Sequence, residues 1–172
     1  MSPVLKGPAI SFVSRSEEQT MRLGIRLGKL LQAGDIICLE GPLGSGKTCF
    51  AKGIGIGMGV EELITSPSFI LINEYKTPSG LILYHVDFYR LNGPEEALAI
   101  GIEEKFYSDG VCVVEWADKA KEIIPPERLW ITFSHLDTHQ RGILMEPSGK
   151  RYVQLLEAFK ESAFGLKHAA GY

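Results

Sequence analysis

The chain carries no excess of positive charge. Its 172 residues include 18 Lys and Arg against 21 Asp and Glu, a formal net charge of −3 with a pI near 5.8. A protein that holds nucleic acid on its own ordinarily presents a basic face to the phosphate backbone. The composition therefore argues against free-standing nucleic-acid binding, so any connection to RNA has to pass through a partner.

Cysteines are few, and long apolar runs are absent. Cys38, Cys49 and Cys112 show no metal-like spacing, and their odd number argues against a disulfide framework. No stretch approaches the roughly 18 apolar residues of a membrane-spanning helix, and no secretory pattern follows Met1. We expect reduced thiols in a cytoplasmic, soluble protein that does not contact membranes.

The apolar content is sufficient for one core. Apolar residues make up 45% of the chain, and its length falls in the usual range for one domain. We expect a single domain over residues 1–172, with a core over about residues 8–160 and a flexible tail over about residues 161–172.

Residues 41–48, GPLGSGKT, fit the phosphate-binding pattern GxxxxGK[ST] at each fixed position. Residues 35–40 before them predict a buried strand, and residues 47–58 after them predict a helix. In such a unit the glycines let successive N–H groups point at phosphate oxygens, which the helix N-terminus also faces. The sequence predicts a phosphate-binding loop, and the flanking elements argue against a chance glycine-rich turn.

Each part of this loop has a predicted task. Backbone N–H groups of Gly44, Ser45 and Gly46 are expected to face the phosphates of a nucleotide. Lys47 reaches the β- and γ-phosphates, and the Thr48 hydroxyl ligates Mg²⁺.

Two predicted strands, residues 81–87 and 111–116, carry carboxylates at their ends. Because the C-terminal ends of such strands converge on the phosphate loop, we expect Asp87 and Glu115 on the metal side of the site. Glu115 is able to ligate Mg²⁺ through water or to orient the attacking water. A glutamate that caps the following helix is the alternative.

Two neighbours of these carboxylates are secondary candidates. His85 alternates with Asp87 to the same side of the strand, which lets both face the nucleotide. A hydrogen-bonded core histidine is an equally good interpretation of His85. Trp116 is predicted to shield the site or to offer a stacking surface.

The segment Thr65-Ser66-Pro67-Ser68-Phe69 breaks the chain after the phosphate-binding helix. Segments in this place in P-loop proteins contact the γ-phosphate or its metal. We predict a switch loop whose hydroxyls are those of Thr65, Ser66 and Ser68. A plain polar turn is the alternative.

Two further positions border the predicted site. Glu17 lies in the first turn of a helix that the capping pattern Ser16-x-x-Gln19 opens, where it borders a nucleotide base or is simply solvated. Arg141 lies in a predicted polar connection, residues 135–142, where it reaches a nucleotide or is an ordinary loop arginine.

The remaining pattern predicts an α/β fold. Residues 69–75 and 81–87, separated by a turn cluster, indicate an antiparallel hairpin. Glycines at positions 53, 55, 57 and 59, in and just after the second half of the helix over residues 47–58, make it intrinsically poor there, so it frays or packs closely on a neighbour. We expect a P-loop domain with a mainly parallel central sheet between helices, extended by antiparallel strands from the hairpin and the C-terminal run.

Together these motifs resemble one family, the small bacterial P-loop ATPases of the TsaE (YjeE) type, which take part in making threonylcarbamoyladenosine in tRNA. The resemblance covers about residues 12–145 and departs from the family at Ser68, usually threonine, and at Cys49, where a hydroxyl residue is common. It rests on an ordered set of motifs at residues 41–48, 65–69, 73–75, 85–91 and 114–116.

The resemblance implies a particular site. ATP is the nucleotide, and Mg²⁺ is held by Thr48 and Glu115. Nucleotide contacts come from Glu17, from the phosphate loop with the backbone N–H of Cys49, and from Arg141. Lys47, Asp87 and Glu115 are the implied catalytic residues, with switch positions in the loop over residues 65–68.

The resemblance also implies partners. Family members dock on the sugar-kinase-like transferase pair that attaches the threonylcarbamoyl group, and they reach tRNA only through that complex. Because the chain shows no obvious arginine finger, we predict slow hydrolysis alone and faster hydrolysis with partners. The alternatives are a small-molecule or nucleoside kinase, for which no arginine-rich lid is evident, and an interaction module that binds nucleotide without hydrolysing it.

Overall fold

A computed structural model describes residues 3–65 and 71–166 of the chain. The strands in these ranges are β1 (Val4–Lys6), β2 (Ala9–Ser14), β3 (Ile36–Glu40), β4 (Ile72–Lys76), β5 (Ile82–Asp87), β6 (Val111–Glu115), β7 (Arg128–His135) and β8 (Arg141–Ser148). The helices are α1 (Glu17–Gly28), α2 (Lys47–Met58), α3 (Pro94–Ala99), α4 (Ile102–Phe106) and α5 (Lys150–Phe164), with a kinked 3-10 segment over Ala117–Ile123.

The strands form one sheet in the order β1-β2-β8-β7-β3-β6-β5-β4. Its centre is parallel, because β3 pairs with β6 and β7 and β5 pairs with β6 in the same direction. The outer strands are antiparallel, including the hairpin of β4 with β5 and the pairing of β8 with β7 and β2. This arrangement confirms the predicted fold class.

The central strands β3 and β6 are apolar up to their final glutamate because both faces of the sheet are covered. β3 reads IICLE and β6 reads VCVVE, the continuous pattern of strands that are buried on both sides. Helices α1, α2 and α5 cover one face, with Leu27, Phe50 and Phe159 in the core. The segment from α3 to the 3-10 helix covers the other face, with Ile102 among its buried residues.

Helix α1 begins as the capping pattern predicts. The Ser16 hydroxyl accepts a hydrogen bond from the Gln19 backbone N–H at 3.1 Å. The Gln19 side chain accepts in return from the Arg15 N–H at 2.7 Å, one residue earlier than in the standard capping box. The helix start is therefore fixed from both sides.

The glycines of α2 serve close packing rather than fraying. The helix continues to Met58, and its backbone lies against that of α1 at Gly24, Gly28, Gly53 and Gly57. A Cβ atom built on Gly28 lies 2.2 Å from the Ile54 carbonyl oxygen, a distance that real Cβ atoms do not show. The two helices can approach this closely only because glycine leaves room.

Three element boundaries differ from the predicted ones. β7 and β8 pair as far as His135 and Arg141, so the predicted polar connection shrinks to the five residues between them. Residues 161–164 of the predicted tail are the last turn of α5, and Phe164 packs on Phe12 with ring centroids 5.0 Å apart. The rest of the tail, residues 167–172, lies outside the described residues.

Two elements were not predicted, β1 and α4. β1 is three exposed residues without alternation, and α4 is a single short turn, so neither leaves a periodic signal. Across residues 3–65 and 71–166, no helix combines the length and apolar content that a membrane span requires.

The start of β3 is anchored to the C-terminal helix. Arg151 donates to both carboxylate oxygens of the buried Asp35, at 2.9 and 2.7 Å, and the Ile36 N–H donates to the Tyr152 hydroxyl at 2.8 Å. Because the Asp35 carboxylate is paired with Arg151, its burial leaves no charge without a partner. These bonds hold the strand whose other end carries the glycine-rich loop.

Candidate functional site

A cleft of about 940 Å³ opens at the carboxyl ends of the parallel strands. Open α/β sheets bind ligands at this edge. The cleft is lined by these predicted site residues: Glu17, Gly44, Ser45, Gly46, Lys47, Thr48, Cys49, Asp87, Glu115, Trp116 and Arg141. The fold therefore brings together most of the residues that the sequence selects.

The glycine-rich loop needs its glycines for conformation and for space. Gly44 and Gly46 have φ of 72° and 107°, in the left-handed region that glycine favours. A Cβ on Gly41 lies 2.7 Å from the Phe133 carbonyl oxygen, so a side chain there strikes β7. The local sequence thus dictates the curl of the loop, in which the Ser45 N–H donates to the Pro42 carbonyl oxygen at 3.1 Å.

Lys47 lies at the floor of this loop. Its ammonium group donates to the carbonyl oxygens of Gly41 and Pro42, the second at 2.9 Å, and approaches the Ser45 hydroxyl at 3.5 Å. It also lies 4.2 Å from the centroid of the Trp116 ring, a cation–π contact. The positive charge is therefore positioned inside the loop.

Burial perturbs both kinds of charge in the cleft. It lowers the pKa of the Lys47 ammonium, which the negative charges of Glu115, Asp118 and Asp87 oppose. Burial raises the pKa of the Asp87 carboxyl, whereas a hydrogen bond from the Tyr89 N–H at 2.8 Å lowers it. A charged group that has lost its hydration is stabilised strongly by a nearby opposite charge, so both groups are sensitive to a charged ligand in the cleft.

A hydrogen-bonded chain links Thr48, Glu115 and His85. The Thr48 hydroxyl donates to Glu115 Oε1 at 2.7 Å, and His85 Nε2 lies 2.5 Å from Glu115 Oε2. Glu115 and His85 are only 2% and 1% exposed. Each oxygen of the carboxylate therefore has its own partner.

The Thr48 and Glu115 oxygens fit a magnesium ion. Mg²⁺ takes oxygen ligands at 2.0–2.1 Å in octahedral geometry, which sets neighbouring ligands about 2.9 Å apart. The observed 2.7 Å between Thr48 Oγ1 and Glu115 Oε1 is close to this spacing. In the described part of the chain no cluster of three His, Cys, Asp or Glu side chains is suited to hold a metal. The pair suits an ion that completes its shell with phosphate and water.

Of the two interpretations of His85, the structure agrees with the hydrogen-bonded core histidine and not with a residue that faces the nucleotide. Asp87 lines the cleft, but His85 lies beneath it as a buried, hydrogen-bonded histidine. His85 and Asp87 do lie on the same side of β5. However, the Glu115 carboxylate on the neighbouring β6 lies between His85 and the Thr48 hydroxyl.

Trp116 forms one wall of the cleft. It has a φ of 57°, the one positive φ among described residues other than glycine. Its ring packs on that of Tyr89 with centroids 5.0 Å apart, and Lys119 lies over both rings. A bulky residue in this conformation is strained and needs support from such packing.

Glu17 and Arg141 both line the cleft beside the phosphate loop. The Cys49 thiol donates to the Glu17 carbonyl oxygen at 3.4 Å, which joins the start of α2 to the start of α1. Arg141 donates to the Gly44 carbonyl oxygen at 3.3 Å and to Asp137 O at 2.9 Å. The half-buried Arg141 therefore contacts the glycine-rich loop.

The predicted switch loop is only partly described. Ser66 and Ser68 lie outside the described residues, so their role stays a prediction. Thr65 does not line the cleft. Its backbone N–H donates to the Tyr75 hydroxyl at 3.2 Å, and its carbonyl accepts from the Asn73 amide at 3.2 Å.

Sequence reasoning missed several residues of the cleft wall. Leu43 and Tyr89 lie within the motifs over residues 41–48 and 85–91, and the others are neighbours in the fold: Arg15, Ser16, Glu18, Thr138 and His139. Thr138 and His139 belong to the tight β7–β8 turn, which the His135 ring joins to the loop by a 3.2 Å contact with the Leu43 carbonyl oxygen. The pairing register of β7 and β8 is the signal that places this turn over the cleft.

Cys49 is expected to be the thiol that reacts in the folded protein. Cys38 and Cys112 are fully buried, and burial raises the pKa of each to about 12. Burial also raises the pKa of Cys49, so its labelling rate should climb only above the pH at which a free cysteine ionises. Maleimide labelling followed by mass spectrometry should add one label per native chain and three after denaturation. A Cys49→Ser variant should add none in the native state; two or more labels on the native wild type would contradict this.

The glycine-rich loop between a buried parallel strand and a helix, with the cleft at the strand ends, defines a P-loop α/β protein. Residues 14–143 match the family described as threonylcarbamoyl adenosine biosynthesis protein TsaE. The chain belongs to the TsaE family, whose members take part in the biosynthesis of threonylcarbamoyladenosine in tRNA.

Individual relatives agree with this membership. The chain is 42% identical over 131 residues to the tRNA threonylcarbamoyladenosine biosynthesis protein TsaE of Treponema pallidum, over 76% of this chain and 96% of that protein. It is 39% identical over 140 residues to the Bacillus subtilis protein of the same name, over 81% and 87%. The crystal structure of Bacillus subtilis YdiB superposes with a TM-score of 0.75 at 35% identity, over 93% of this chain and 98% of that one.

Proposed function

We propose that this chain binds and hydrolyses ATP with Mg²⁺ and that it serves threonylcarbamoyladenosine biosynthesis through the threonylcarbamoyltransferase complex. One observation carries the proposal. The Thr48 hydroxyl and the Glu115 carboxylate meet at 2.7 Å at the start of α2, beside the Lys47 ammonium in the same cleft. A phosphate loop, a cation and a pair of oxygen ligands are the parts that phosphoryl transfer to water requires.

The residues divide the work between phosphate and metal. Loop N–H groups and Lys47 bind the phosphates and offset charge as it moves during bond breaking. Thr48 and Glu115 would hold Mg²⁺, which would supply further neutralisation of the phosphate charge. Asp87, in register with Glu115 on the neighbouring strand, faces the cleft where it can orient the attacking water.

Turnover by the chain alone is expected to be slow. Arg141 lines the cleft, but its guanidinium is bound to backbone carbonyls of the loop and of the β7–β8 turn. Where no arginine neutralises the charge that develops in the transition state, the barrier to hydrolysis stays high. A partner protein commonly supplies the missing cation. Fast hydrolysis by the purified chain would contradict this part of the proposal.

The test is phosphate release with MgATP by wild type and by Glu115→Ala, each alone and with the transferase pair plus tRNA. We expect partner-stimulated release that falls by about 100-fold or more in Glu115→Ala, because the variant loses a metal ligand. Glu103→Ala is a matched control, since Glu103 is an exposed carboxylate on α4 away from the cleft. It should behave as wild type.

Two outcomes would assign a different function. ATP binding without release under any condition would make the loop a nucleotide sensor. A phosphorylated product from a nucleoside or sugar panel, with no free phosphate, would indicate a kinase.

A further inference from the structure

His85 makes one polar contact within the described residues, and that contact is Glu115. Nε2 lies 2.5 Å from Glu115 Oε2, while Nδ1 is buried and has no hydrogen-bond partner in that part of the chain. This ring is directed at a single carboxylate oxygen.

We propose that His85 is a positioning residue that sets the Mg²⁺ affinity of the site through Glu115, without contact to nucleotide or metal. The inference rests on the proposed function and adds the residue that tunes its metal. A carboxylate only accepts, so His85 Nε2 carries the proton of this bond. Oε2 is thereby occupied, and Oε1 is left facing the Thr48 hydroxyl.

The fold makes this support specific. β5 and β6 run parallel with His85 opposite Val113 and Asp87 opposite Glu115, so His85 reaches across to the strand end one residue pair below the cleft. Glu115 is 2% exposed, and water cannot replace a lost hydrogen bond easily at such a site. Hydrogen bonds to metal ligands of this kind typically change metal affinity by about 10- to 100-fold when they are removed.

Two substitutions test the hydrogen bond of His85 separately from the packing of its ring. His85→Leu removes the donor but keeps an apolar side chain in the core, whereas His85→Gln can return an N–H near the position of Nε2. The readout is the Mg²⁺ concentration that half-saturates its effect on ADP binding, measured by titration calorimetry, with ADP affinity in EDTA measured alongside. ADP is chosen so that the measurement does not depend on hydrolysis.

We expect His85→Leu to need about tenfold more Mg²⁺ and His85→Gln to stay within about threefold of wild type, with ADP affinity in EDTA unchanged in both. Leu83→Val is the matched control, because Leu83 is 1% exposed on the same strand and the same side but does not approach Glu115. It should lower the melting temperature and leave the Mg²⁺ requirement as in wild type.

A second readout needs neither metal nor turnover. In ¹⁵N spectra of the metal-free wild type, the His85 ring should carry a proton on Nε2. A ring protonated on Nδ1 alone, or an unchanged Mg²⁺ requirement in folded His85→Leu, would overturn the inference. If wild type shows no Mg²⁺-dependent nucleotide binding at all, the proposed function fails instead, so the two failures are distinguishable.

Discussion

Replacement of Lys47 by methionine is expected to weaken MgATP binding by about 100-fold or more and to abolish phosphate release. The ammonium is the one cation that the structure places inside the curl of the loop, within the described residues. Loss of a preorganised charge at the phosphate typically costs about two to three orders of magnitude in rate. Methionine keeps the length and the apolar stem, so the change isolates the charge.

Lys47 also stabilises the conformation of the loop itself. Its bonds to the carbonyls of Gly41 and Pro42 hold together a turn whose peptide oxygens would otherwise face one another. We therefore expect Lys47→Met to loosen the loop as well, visible as faster amide exchange over residues 41–46.

Lys52→Met is the matched control for Lys47. It removes the same charge from the same helix, and Lys52 does not line the cleft. Calorimetry with MgATP and a phosphate-release assay should give wild-type values for the control. Equal losses in both variants would mean that net charge, rather than the position of Lys47, governs nucleotide binding.

The loop and its flanking elements were predictable because their information is local. The pattern over residues 41–48 specifies a curl that needs glycine at left-handed positions, and the apolar run before it specifies a buried strand. The predicted bounds of α2 agree with the observed Lys47–Met58. The side chains of Lys47 and Thr48 project from the first turn of this helix, so their place followed from the same pattern.

The partnership of His85 with Glu115 was not predictable in this way. It depends on the register between β5 and β6, which lie more than twenty residues apart in sequence and are joined by α3 and α4. Alternation along β5 identifies the face that His85 shares with Asp87 but not the neighbour that it meets. The position of Arg141 likewise depends on the β7–β8 register, which moved it from a predicted loop to the first residue of a strand.

The role of the α2 glycines was only partly predictable from the sequence. Sequence alone leaves fraying and close packing as alternatives, because a helix rich in glycine is weak whichever applies. Close packing is the outcome because of α1, where Gly24 and Gly28 occur four residues apart on the face that meets α2. Matching glycines on two helices indicate a close crossing, but only when the helices are known to be neighbours.

The substitution Gly28→Ala is expected to destabilise the protein although alanine is the better helix former. Helix propensity favours the change by about 1 kcal/mol. Against it, the new Cβ lies 2.2 Å from the Ile54 carbonyl oxygen and 2.9 Å from the carbonyl carbon. Backbone atoms cannot rotate away as a side chain can, so α1 and α2 must separate, at a cost of about 3 kcal/mol or more.

The packing term therefore exceeds the propensity term, and we expect a net loss of about 2 kcal/mol or more, which lowers the melting temperature by about 4–8 °C for a chain of this size. Arg22→Ala, on the exposed face of α1, is the control for an alanine that meets no neighbouring helix and should change the melting temperature little. Thermal unfolding followed by circular dichroism measures both. A Gly28→Ala protein as stable as wild type would mean that the helices can separate freely.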